Sequence, residues 1–112
     1  MLTIEALRAW GANVNEGVAR CVNNEAFYLR MVQKVVADQA SVDALKAAVA
    51  SDDRKAGFEA AHKLKGVLAN LSLTPVLDPT VELTELLRGN GEGDPLPLLE
   101  KVLAAFEELK NL

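Results

Sequence analysis

Apolar residues return at intervals of three and four along most of this chain, which is the signature of helices with one buried face. From Asn24, the residues Tyr28, Met31, Val32, Val35, Val42, Leu45 and Val49 trace such a face. The stripe spans about 27 residues, roughly 40 Å of helix, with Asp38 to Ser41 as the place for a kink. A second stripe, Phe58, Ala61, Leu64, Leu68 and Leu71, follows the polar start Ser51-Asp52-Asp53. A last one, Leu99, Val102, Leu103, Phe106 and Leu109, is opened by Pro95. Between them, Thr74-Pro75 and Asp78-Pro79 are both cap-plus-proline pairs. The second proline would break a helix begun at the first, so the regular part is predicted from near Pro79 to Arg88. Gly89-Asn90-Gly91-Glu92-Gly93-Asp94 reads as a flexible loop.

Two short helices are predicted ahead of these. Thr3 can cap the first, with Leu2 and Leu7 as a hydrophobic staple and Gly11 as its stop. Asn13 and Glu16 have capping-box spacing and start a second, running to about Cys21 before a break at Asn23-Asn24. β-Branched and aromatic residues never alternate with polar ones at a period of two, so strands are not expected. The expected fold is therefore all-α: an antiparallel up-and-down four-helix bundle, with the short N-terminal helices covering one end. Its 112 residues are read as one domain, 1–112, large enough to bury a core without disulfides or metals.

Charge and composition narrow the partners. Twelve basic against sixteen acidic residues give a net charge of −4, with no basic run to track a phosphate backbone, so nucleic acid and anionic membranes are not expected partners. No apolar stretch approaches a membrane span and no secretory leader is evident, which points to the cytoplasm. Met1 and the compact ends suggest a complete protein rather than one module of a larger chain, which stays the alternative. The single cysteine, Cys21, reads as a small buried residue, and with one histidine no zinc set can form. Each helix carries one apolar stripe, so a monomer is expected.

The only histidine, His62, stands one residue off the second stripe, on the side of the apolar face. Lys65 and Gly66 are its neighbours in the next turn. A phosphoryl group on the imidazole would carry close to two negative charges. Lys65 offers an ammonium to offset them, and Gly66 lacks the Cβ that would obstruct an approaching partner. Gly66 could instead be a packing glycine between helices. Lys63, at i+1, points away from His62. Glu59, one turn earlier, is read as an exposed carboxylate rather than a hydrogen-bond partner of the ring. Asn70 is either a partner contact or a helix-end polar residue, and Trp10 is read as a lid on the bundle.

His62-Lys63-Leu64-Lys65-Gly66, with Asn70-Leu71 after it and Ser51-Asp52-Asp53 before it, resembles the histidine-containing phosphotransfer (HPt) domains of two-component phosphorelays. Gly17-Val18-Ala19-Arg20-Cys21 and Asn24-Glu25-Ala26-Phe27-Tyr28 are also similar to the segment leading into the long second helix of stand-alone members. The resemblance implies a phosphoryl carrier that exchanges phosphoryl between receiver-domain aspartates. His62 would be the phosphoacceptor, through Nε2, Lys65 the charge partner and Gly66 the clearance residue. The partners implied are receiver domains of a hybrid histidine kinase and a response regulator. Two departures stand out: Ser72 where many members have glycine, and the prolines Pro75 and Pro79. Both bear on the backbone after Leu71 rather than on the acceptor turn.

A neutral imidazole is a competent nucleophile near pH 7, so no adjacent base is needed. The receiver brings its aspartate and Mg²⁺, leaving this chain to supply a placed imidazole and a cation, with no cofactor of its own. No Gly-rich phosphate loop or kinase motif occurs, so the chain is not expected to be a kinase. The alternative is a non-catalytic helical adaptor that binds receiver or kinase domains without phosphotransfer.

Overall fold

The computed structural model describes residues 2–89 and 92–112, and among them every regular element is a helix. Local signals account for most of the boundaries. The Ala6 amide donates to Thr3 Oγ1 at 3.0 Å to open α1 (Ile4–Trp10), and Gly11 closes it at φ +116°, a backbone conformation that disfavours a Cβ. Asn13 caps α2 (Val14–Arg20) as expected: the Glu16 amide faces Asn13 Oδ1 at 3.4 Å, and Asn13 Nδ2 donates to Glu16 Oε2 at 3.0 Å. Asn24 Oδ1 then accepts from the Phe27 amide to start α3 (Glu25–Ala37).

The long helix expected from Asn24 is not merely kinked but divided. Asp38 leaves helical geometry at ψ 74°, ending α3 and capping α4 (Gln39–Ala50) through the Ser41 amide. Ser41 Oγ also donates to Asp38 Oδ2 at 2.7 Å. These Ser41 hydrogen bonds, with the nearby Lys63 charge adding to them, hold the Asp38 carboxyl below its usual pKa. Asp53 caps α5 (Arg54–Asn70), the helix that carries His62.

One sequence expectation is corrected in the next helix. α6 runs unbroken over Thr74–Arg88 with Pro79 inside it, rather than beginning near Pro79. Neither Thr74 nor Asp78 caps it; the N-cap is Leu73, without a side-chain bond. An interior proline costs about 3 kcal/mol through a lost hydrogen bond and ring crowding. Burial of Val76, Leu83 and Leu87 on the inner face opposes that, at roughly 1.5–3 kcal/mol for each large apolar side chain. Thr80 and Thr84 are also buried there, their hydroxyls donating to the Val76 and Thr80 carbonyls at 2.7 Å each.

Asp94 Oδ1 accepts from the Leu96 amide ahead of α7 (Leu96–Lys110), with Pro95 as N-cap. Of the predicted inner face, Leu99, Val102, Phe106 and Leu109 are buried, while Leu103 is half-exposed and Ala105 takes an inner place. The loop predicted over Gly89 to Asp94 includes residues 90 and 91, which lie outside the described residues. Close to it, the Arg54 guanidinium donates to the carbonyls of Leu86 and Gly93.

Packed together, α4, α5, α6 and α7 are neighbours in chain order and α3 reaches α7, giving a helical bundle 41 × 23 × 21 Å across. The short N-terminal helices cover the corner between α5 and α6. Gly17 lies so close to it that a Cβ there would run into the Tyr28 ring and stand 2.7 Å from the Leu71 carbonyl. Tyr28 is fully buried, and its hydroxyl donates to that carbonyl at 2.9 Å. The Asn13 amide donates to the Ser72 carbonyl at 3.0 Å. Trp10 acts as the expected lid, half-buried with Nε1 donating to Glu108 of α7 at 3.0 Å. Cys21 is buried, as its sequence context suggests.

Candidate functional site

α5 places the turn that carries His62. Ala61, Leu64 and Leu68 bury its inner stripe, so the residue after Ala61 is rotated 100° away from the core and His62 stands exposed. Neither ring nitrogen of His62 has a protein hydrogen-bond partner among the described residues. The imidazole is thus open to an incoming electrophile.

Lys65 lies one turn further on, half-exposed, and its ammonium makes no ion pair or hydrogen bond among the described residues. Gly66 is exposed, and a Cβ built on it would meet nothing within 4 Å. Among the described residues that removes the packing reading: no neighbour there needs Gly66 to be small. Gly57, one residue ahead of Phe58, is the packing glycine of α5, with Leu87 Cδ1 at 3.3 Å from where its Cβ would be.

The remaining sequence candidates separate cleanly. Lys63 faces α4, lining a shallow groove with Ala40, Ser41 and Ala44. Glu59 is exposed and makes no hydrogen bond to His62. Asn70 is exposed on the rim of a groove between α3 and α5, beside Met31, Val67 and Leu71.

Sequence reasoning missed Phe58 as a site residue, because its spacing assigned it to the core. Its ring is half-exposed and stacks on His62, with centroids 5.6 Å apart and planes at 16°. The available signal was the aromatic-to-histidine spacing of four, which puts two rings on one helix face. Arg88, at the end of α6, holds its guanidinium carbon 5.3 Å from the Phe58 centroid, a contact between helices that no local pattern announces.

The site is thus an exposed histidine on the flank of a helical bundle, followed one turn later by a cation and an open glycine that have no partner among the described residues. Residues 30–112 match the family model described as Hpt domain, and the chain belongs to that family. Hpt domains are phosphocarriers of two-component signalling rather than kinases, and they work with its receiver and kinase proteins. Comparison with curated proteins and with solved structures finds no match. No helix among the described residues is long and apolar enough to cross a membrane.

Proposed function

We propose that the protein is a phosphorelay intermediate in which His62 accepts phosphoryl from the aspartyl phosphate of one receiver domain and returns it to the aspartate of another. The observation that carries this reading is the exposed His62 imidazole, with both nitrogens unpartnered among the described residues, inside the region that matches the Hpt model. In the forward step the lone pair of a neutral ring nitrogen, Nε2 on grounds of access, attacks phosphorus. The N–P bond forms as the P–O bond to aspartate breaks. The carboxylate leaves with the bonding electrons, and the proton on the other ring nitrogen passes to water. Lys65 offsets the charge of the phosphoramidate, and Gly66 leaves room for the receiver. The receiver supplies Mg²⁺, and this chain needs no cofactor of its own.

The test is to load the purified protein with a small phosphoramidate donor and offer it to a panel of receiver domains with Mg²⁺, beside His62→Gln. The expected result is acid-labile phosphate on His62 that drains to at least one receiver within seconds to minutes, and none on the variant. A protein that binds receivers equally well with either residue and never passes phosphate would instead be an adaptor.

A further inference from the structure

His62 is exposed, yet one face of its ring is covered by another ring. Phe58 lies four residues earlier on α5, and the 5.6 Å centroid separation with nearly parallel planes is an offset stack. Phe58 is itself held twice. Its buried side packs against the core, and the Arg88 guanidinium lies over its ring within cation–π range. Among the described residues Arg88 has one other partner, Glu85, at 3.5 Å, with both side chains more than half exposed; such a pair leaves the guanidinium largely available to the ring. Arg88, Phe58 and His62 therefore form a chain of contacts from the end of α6 to the reacting group.

We propose that Phe58 is a positioning residue for phosphoryl transfer, its ring fixing the plane of the His62 imidazole, with Arg88 holding Phe58 in place. The proposal rests on the reading of His62 as phosphoacceptor. A solvent-exposed histidine otherwise samples several χ1 wells and a broad χ2 range. In-line attack uses only orientations that aim one nitrogen at phosphorus, and ordering the nucleophile beforehand removes that restriction from the barrier. The stack leaves the nitrogens unpartnered, so it orders the ring without occupying its lone pair. An aromatic stack of this geometry biases a rotamer population by about two- to tenfold, which sets the size of the expected rate effect.

The experiment compares the wild-type chain with Phe58→Leu, Phe58→Tyr and Arg88→Gln. Two readouts are taken: the ring-current shifts of the His62 carbon-bound ring protons by NMR, and single-turnover loading by a small phosphoramidate over a range of donor concentrations. Phe58→Leu is expected to lose the ring-current shift and to load about two- to tenfold more slowly at saturating donor, with half-saturation unchanged. Phe58→Tyr should retain both properties. Arg88→Gln, a change at an exposed site that keeps the test decisive even if Phe58→Leu unfolds, should move both readouts the same way by less. Wild-type loading with unchanged rates in Phe58→Leu and Arg88→Gln would overturn this proposal alone. Absence of label on His62 in the wild type would overturn the phosphoacceptor reading and this proposal with it.

Discussion

Replacing Gly66 with alanine should make the protein more stable and a poorer relay partner at once. Gly66 lies inside α5, with four helical residues after it, and the added methyl would meet no atom within 4 Å. Neither a clash nor new burial enters the balance, so the change in stability reduces to helix propensity, about 0.8–1.0 kcal/mol in favour of alanine. For a chain of this size that raises Tm by about 4 °C. Loading by a small phosphoramidate needs no protein to approach the helix and should stay within about twofold of wild type. Transfer to a cognate receiver should fall, because a methyl forced into a close-packed contact costs about 1–3 kcal/mol, or roughly one to two powers of ten in rate. Thermal melts, loading kinetics and receiver transfer on one preparation separate the three effects. A more stable variant that transfers to its receiver at the wild-type rate would refute the clearance role. A less stable one would refute the geometry itself, since it would require a neighbour that the open face lacks.

Two further predictions concern the corner that holds α5 against the N-terminal helices. Ser72→Gly should stabilise the protein by about 1 kcal/mol in urea titrations, because relief of left-handed strain, about 1–2 kcal/mol, exceeds the extra chain entropy of glycine, about 0.4–1 kcal/mol; no gain would contradict the strain at φ +52°. Tyr28→Phe should cost about 1–2 kcal/mol at neutral pH by leaving the Leu71 carbonyl without its donor. Burial, with the neighbouring Cys21 adding to it, raises the Tyr28 pKa to about 12, so the folded state keeps a proton that the unfolded chain releases near 10. Stability from this group is full below pH 10 and falls as pH rises to 12, by roughly 3 kcal/mol at most, and the phenylalanine variant should lose that part of the alkaline slope.

What could be read from the sequence is what depends on near neighbours. Thr3, Asn13, Asn24 and Asp53 cap helices because a side-chain oxygen two or three residues from an unpaired amide closes a local bond, and no distant contact is needed to form it. The turn around His62 is legible for the same reason: i+3 and i+4 on a helix put Lys65 and Gly66 beside His62 in any fold that keeps α5 helical. Pro79 misleads because its penalty is local while the burial of Val76, Leu83 and Leu87 that opposes it is tertiary. Ser72 was visible only as a departure from the glycine of many relatives. The structure supplies the cause, since its amide bonds the Ala69 carbonyl and the Leu73 amide bonds Leu68, the pattern of a Schellman cap with a residue at φ +52° in the glycine position. Its buried hydroxyl has no partner among the described residues, so serine there adds nothing that offsets the strain.

The same division separates what reacts at the site from what orders it. The residues assigned to the chemistry, His62, Lys65 and Gly66, lie within five positions of one another. The order imposed on the imidazole passes through Phe58 to Arg88, thirty residues further along the chain and on another helix. A helix carrying His62 and its neighbours would thus present the nucleophile, but the full bias on its ring plane needs the packed bundle, with the end of α6 brought against α5. Loss of packing between α5 and α6 should therefore slow loading before it abolishes it, because the nucleophile survives while its orientation does not.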